Sequence, residues 1–248
     1  MDRGIRATWY DLPKEGREEY LGWLHEAHLP RVLAREGHLW AAHFRNEGGG
    51  ERFHQVIKKM ARAEDPAVGA GKGYLVLIGA ESTRAFFDPT APQRRERWTA
   101  EERGMLGRRT GVYACVFAEE YRVEGPQAGA RAPGITPGPY IQMGNFNVKA
   151  IEDGHDLGGW YAQHRLPFMA KMRGGVGARK LAAAVGWGRH SILYEYVSAE
   201  AREEEFVGHE EIGHEAGSWT SRVHTYVVHA PCSPFVGPRI WPPFPGRG

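Results

Sequence analysis

The sequence predicts an α+β fold, in which two ferredoxin-like β-α-β-β-α-β halves pack sheet to sheet as one barrel within a single chain. Three observations carry this. A frame recurs: Gly22-Trp23, Leu29-Pro30 and Gly37 match Gly159-Trp160, Leu166-Pro167 and Gly174 without a gap, and Ala41 and Ala178 keep the register. A second pair, Ala80-Glu81 with Phe87 and Ala199-Glu200 with Phe206, follows in the same order at a shorter offset. Period-2 and period-3.6 apolar patterns also alternate in one order through both halves, which is the signature of a duplicated unit.

Ile5 to Tyr10 is rich in β-formers and is closed by Asp11-Leu12-Pro13, so it predicts a strand. Glu15 to Leu29 places Tyr20, Leu21, Trp23, Leu24 and His28 at helical spacing, with Glu15, Glu18 and Glu19 at the positive end of the dipole. Pro30 cannot donate to the Glu26 carbonyl, so the helix is expected to kink or end there, with His28 at the break. His38 to Arg45 and Gly73 to Gly79 predict strands, a short helix runs from Ser82 to Phe87, another from Arg94 to Arg103, and Thr110 to Tyr121 is the last strand of the half. The surplus residues of the first half fall in the Gly-rich stretch Asn46 to Gly73, where insertion is cheapest, and a mobile cover over the first-half cleft is expected there.

Gly125 to Pro139 holds four prolines and four glycines and reads as a linker, dividing the chain into 1–122, a 123–138 connection and 139–248. The second half repeats the order: strand Tyr140 to Val148, helix Asp156 to Arg173, strands Ala178 to Trp187 and Ser191 to Val197, helix Glu200 to Val207 and a final strand Arg222 to Ala230. The Pro-rich tail from Pro231 onward, with Phe235, Trp241 and Phe244, is expected to lie across the surface or a partner chain.

Composition narrows the function. A chain of 248 residues, 42 % hydrophobic, affords a sizeable core, and 32 basic against 30 acidic residues leave a net charge of +2. That balance points to neither nucleic acid nor an anionic membrane as partner, and the Arg94, Arg95 and Arg97 cluster, interrupted by Glu96, reads as a solvated helix face. Cys115 and Cys232 suggest neither a disulfide framework nor a zinc site. With no apolar signal core after Met1 and no long apolar run, a cytoplasmic protein is expected.

Trp23 followed by His28-Leu29-Pro30 resembles the Trp and His-x-Pro element of EthD-like proteins in the dimeric α+β barrel superfamily. Trp160 with His164-Arg165-Leu166-Pro167 is similar, with the histidine one position earlier. The resemblance implies a small-molecule enzyme with a cleft between sheet and helices, using cofactor-independent acid/base chemistry as a lyase, isomerase, cyclase or oxygenase on an apolar or aromatic substrate. Haem-dependent members of the superfamily imply the alternative of a haem enzyme with His28, His164 or another histidine as axial ligand. A non-catalytic ligand-binding or scaffold protein is the third reading, and a homo-oligomer is compatible with all three.

His28, sharing a face with Leu21 and Leu24, is the first candidate acid/base, since a near-neutral imidazole suits proton abstraction. His164 is its counterpart, although in ungapped register Arg165 is the residue opposite His28. His25 and His28 are too close for a zincin pair and lack a third ligand, so no metal is expected. Trp23 and Trp160 are expected beside the ligand or locking helix to sheet. Asn145 and Asn147, on one strand face, either line a polar pocket or mark a solvated edge. Tyr10, His43 and Arg165 complete the candidate substrate contacts, while His209 and His214 lie in a solvated polar segment.

Overall fold

The computed structural model describes residues 1–58, 60–132, 134–209 and 217–244; His214 and the end of the tail fall outside these. Among the described residues ten strands follow in chain order: β1 Gly4–Asp11, β2 His38–Arg45, β3 Ala61–Arg62, β4 Tyr74–Ala80, β5 Thr110–Glu124, β6 Tyr140–Val148, β7 Gly175–Val185, β8 His190–Tyr196, β9 Val227–His229 and β10 Phe235–Trp241. They hydrogen-bond in the order β10-β2-β4-β1-β5-β7-β8-β6, and β10 pairs with β6 as well, so eight strands close a ring. The halves therefore meet edge to edge: β5 pairs with β7 at one seam, and β10 joins β6 to β2 at the other. Within each half the spatial order is second, third, first, fourth strand, with β9 attached to the end of β6.

Strand alternation sorts the side chains. Ile5, Ala7 and Trp9 of β1, Phe44, Leu77, Phe117, Ile141, Leu193 and Phe235 fill the barrel with one apolar core. The opposite faces carry Tyr10, Ala41, Tyr74 and Val76 in the first half and Phe146, Ala178, Ile192 and Tyr194 in the second, each set covered by its own helices.

The first covering helix runs as α1 Arg17–Trp23, a π-helical turn Leu24–His28 and α2 Leu29–Leu33. Contrary to expectation it neither ends nor breaks at Pro30. The extra residue of the π-turn lets the Leu29 N–H reach the Leu24 carbonyl, and Pro30 falls in the first turn of α2, where no donor is required. The second half shows the same device: α6 Asp153–Trp160, a π-helical turn Tyr161–Arg165 and α7 Leu166–Met169, with the Leu166 N–H on the Tyr161 carbonyl.

Three further expectations are corrected. Asn46 to Gly73 does not cover the first-half cleft. Its helix α3, Gly50–Ile57, sinks Phe53 to 1 % exposure in the second-half core, and β3 pairs in parallel with β9. Helices α4 Ala91–Glu96 and α5 Ala100–Leu106 lie over the first cleft instead, started by the capping boxes Thr90/Gln93 and Thr99/Glu102. Residues 222–226, expected in the last strand, are helical, because Ser218 caps a helix Trp219–Tyr226 that docks on α6 through Asp156, which accepts from Trp219, Arg222 and Tyr226. The described part of the tail does not lie across the surface; its Phe235–Trp241 is β10, the closing strand. Gly237 is obligatory there, since a Cβ would sit 1.8 Å from the Arg45 carbonyl oxygen. Among the described residues no helix is long and apolar enough to cross a membrane.

Candidate functional site

The two equivalent clefts differ in content. The second holds only about 50 Å³ of free space among Phe53, Trp160, Arg165 and Phe206. Arg165, 1 % exposed, lays its guanidinium 4.6 Å from the Trp160 ring centre and 5.1 Å from that of Phe206. Arg202 lies 4.1 Å over the Phe53 ring and donates to the Gln142 amide oxygen at 2.7 and 2.9 Å. Trp160 donates to the Thr220 hydroxyl at 3.2 Å, and His164 stacks on His209, which in turn stacks on Phe168. The insertion has plugged this side.

The first cleft is open, at about 490 Å³, between the outer face of β1, β4 and β5 and the helices above it. His28 lies in its wall, half-buried, with the ring stacked on Trp23 at 4.8 Å. The π-turn places it there, as the last residue before α2. Burial, and then the nearby charges of Arg109, Arg35, Arg31 and Arg6, push the imidazole down to about 3, so it is neutral near pH 7. Nδ1 has no hydrogen-bond partner among the described residues; the Glu102 carboxylate is 3.9 Å away, too far to bond but close enough to favour an imidazolium if one forms.

A second cluster lies beside this wall. His25 Nε2 and His43 Nδ1 are 2.8 Å apart, and His43 Nε2 and the Tyr10 hydroxyl 2.9 Å. His43 is fully buried and held well below its ordinary value by burial and by His25; burial raises the Tyr10 phenol. Arg109 links the chain to the cavity, with its guanidinium 4.3 Å over the Tyr10 ring and its Nε donating to the Tyr20 hydroxyl.

The structure thus brings Tyr10, Trp23, His28 and His43 together, and Trp160, His164 and Arg165 together in the plugged cleft. Asn145 and Asn147 belong to neither. Asn145 donates to the Gly188 and His190 carbonyls and accepts from the Tyr113 hydroxyl, and Asn147 bonds the Trp187 carbonyl and the Arg189 N–H. They pin the β7–β8 turn at the barrel end, so the polar-pocket reading gives way to a structural one. Sequence reasoning missed Arg6, Arg35 and Arg109, which line the open cleft, and Arg94 and Arg95 line it too rather than a purely solvated face. The available signal was Arg6 itself, a lone charge inside the apolar run Ile5 to Tyr10.

The haem alternative meets this lining directly. A macrocycle needs an apolar slot and an axial imidazole. The open cleft presents His28 and the apolar Leu29, Val32, Val76 and Ile78 together with Arg6, Arg35, Arg94 and Arg109, cations that would face a macrocycle's propionates. Its lining is therefore compatible with a haem, whereas the second cleft is filled. Among the described residues no group of three or more His, Cys, Asp or Glu is placed to hold a metal ion.

No family model matches the chain, and no curated protein matches it. Solved structures do. An anthrone oxidase-like protein aligns with a TM-score of 0.58 at 14 % identity, covering 96 % of this chain and 90 % of its own. The encapsulated DyP-type peroxidase from Mycobacterium smegmatis aligns at 0.51 and 9 % identity, covering 99 % and 97 %. A chlorite dismutase from Candidatus Nitrospira defluvii aligns at 0.51 and 10 %, covering 96 % and 91 %. At such identities the likeness is one of architecture, and the chain shares with these proteins the fold of an antiparallel barrel flanked by helices, the α+β barrel.

Proposed function

We propose that the protein is an α+β barrel enzyme whose working site is the first-half cleft, with His28 transferring a proton on a small-molecule substrate without a tightly held organic cofactor. The single observation that carries this is the asymmetry of the clefts: one is plugged, and the other keeps free volume beside a neutral imidazole whose Nδ1 has no hydrogen-bond partner among the described residues. An imidazole held at about 3 is a weak base in the cleft by itself. It takes a proton from an enolisable or phenolic substrate only as the guanidinium groups around the cavity pair with the resulting anion and cease to oppose the imidazolium, with Glu102 3.9 Å from Nδ1. The oxidase-like, peroxidase and dismutase names of similarly folded proteins support an enzyme, and an open cleft argues against a pure scaffold.

The shared Trp, π-turn and Leu-Pro frame, with the common strand order of the halves, supports a tandem EthD-like origin. In this reading residues 1–122 and 139–248 are ferredoxin-like repeats joined by 123–138, and the protein is cytoplasmic.

The test is a His28→Ala variant, assayed with wild type for oxygen uptake and absorbance change against a panel of enolisable and hydroxyaromatic compounds. We expect a loss of roughly two to four orders of magnitude in rate with the fold retained. A variant that melts lower by about 1–3 kcal/mol yet turns over normally per folded molecule would falsify the assignment.

A further inference from the structure

Six arginines, Arg6, Arg35, Arg94, Arg95, Arg103 and Arg109, line the open cleft, and among the described residues no carboxylate lines it with them, Glu102 standing at its edge 3.9 Å from His28. They come from three directions: Arg6 from the floor strand β1, Arg35 from just after α2, and the others from α4, α5 and the approach to β5. Several have duties within the protein. Arg94 bonds the Pro89 carbonyl, Arg103 the Trp98 carbonyl, Arg95 lies against the Trp98 ring, and Arg109 is fixed by Tyr20. Among the described residues neither Arg6 nor Arg35 makes a side-chain hydrogen bond or a close ion pair, although Arg35 feels the charge of Glu102.

Arg6 is the informative one. Burial, and then the charges of Arg94, Arg109, Arg35 and Arg95, bring its guanidinium down to about 10. Repulsion among these cations, of which Arg6, Arg35, Arg94 and Arg109 are partly buried, opposes folding, and a partly buried charge without a counter-ion costs stability. A protein that gained nothing from such a cluster would do better with methionine at position 6. Apart from Thr8, His28 and His38 the remainder of the lining is apolar, with Leu29, Val32, Val76, Ile78 and Leu106 in the slot and Trp98 at the cover. Guanidinium groups on several sides of an apolar slot match a planar or tetrahedral oxyanion head carried on an apolar body, because the planar fork donates two parallel bonds to carboxylate or phosphate oxygens.

We propose that the first-half cleft takes an organic anion, its carboxylate or phosphate held by Arg6 and Arg35 and its apolar body lying between the sheet and Trp98. This names the substrate class for the site assigned above and rests on that cleft being the working one, but not on His28 being the acid/base group. The apolar substrate implied by family resemblance becomes an amphiphilic one.

The test is calorimetric titration of the full chain with benzoate, phenyl phosphate and the uncharged benzyl alcohol. Benzoate or phenyl phosphate should bind at least about tenfold more tightly than benzyl alcohol and weaken in about 0.5 M salt, and the better of the two identifies the head group. Arg6→Met should lose that preference by about tenfold or more while raising the ligand-free melting temperature by about 2–4 °C, the opposite of what a structural arginine does. Arg35→Gln serves as the milder second variant and should weaken the same anion.

Binding of benzyl alcohol as tight as either anion, no binding of any probe, or full anion affinity in both arginine variants would overturn the proposal. His28→Ala separates it from the catalytic reading: anion binding that survives in an inactive His28→Ala protein supports both, and anion binding with undiminished turnover sinks only the assignment of His28.

Discussion

His43 occupies the middle of a three-member chain in which both of its ring nitrogens are engaged, one by His25 and one by Tyr10. Its replacement by alanine would strand a buried phenol and an imidazole at once, and each unmet polar group costs about 1–3 kcal/mol. His43→Ala should therefore melt well below wild type, and His43→Gln, which can keep one bond, should recover part of the loss; equal melting of all three proteins would show that the chain adds nothing to stability. At this scale the sequence was partly legible. His28 was singled out because a proline two residues on marked its position, and Tyr10 and His43 because they are polar groups in strands. The arginines escaped because a net charge averages over the chain: 32 basic residues balanced by 30 acidic ones conceal a cavity lined by six guanidinium groups. Nothing in linear order says that Arg6, Arg35 and Arg109 converge.

The elements divide into those set by local pattern and those set by a partner. β2 and β6 have the bounds read from the sequence, since alternation and flanking turns specify them. The π-turns were not legible, because the extra residue is visible only when the Leu29 N–H is seen to skip one carbonyl. The insertion was legible as an insertion but not in its destination, which depends on an apolar face meeting Arg202 and Phe206 on the far half. Phe53 holds it there. Phe53→Ala should cost about 3–5 kcal/mol, the range for a buried aromatic truncated in a core, and should open the second cleft while leaving turnover at the first unchanged. Thermal melting together with the assay for the first cleft checks both parts, and a large loss of turnover in the folded variant would show that the clefts are coupled.

For the molecule as a whole, acid should be the weak side. His25 and His190 are pushed to about 4 and His28 and His229 to about 3, with burial the leading cause in each case, and His43 lies well below its ordinary value. A histidine depressed on folding favours the folded state fully above its unfolded value near 6.5, and this contribution fades as the pH falls toward the folded values. For the buried His229 the loss is up to about 2 kcal/mol between about pH 7 and 5, and the fully buried His43 adds to it in the same direction. Asp2 and Glu195, lowered by Arg179 and its neighbours against the cost of burial, extend the decline to lower pH. Melting temperature should fall steadily below about pH 6.5; a flat profile down to about pH 5 would mean that these histidines charge without cost.

The closing strand has a further consequence, for the order in which the chain acquires its shape. β10 bonds to residues on β2 that lie some two hundred positions earlier, among the longest-range contacts in the fold, and it leaves the ribosome after both of its partners. Until Phe235 to Trp241 are in place, β2 and part of β6 present bare edges, open to any other extended chain. Synthesis thus includes an interval in which every helix is available but the ring is not yet shut. During that interval this protein is most exposed to mispairing, and whatever shields a nascent chain must act longest on the edge that β10 finally covers.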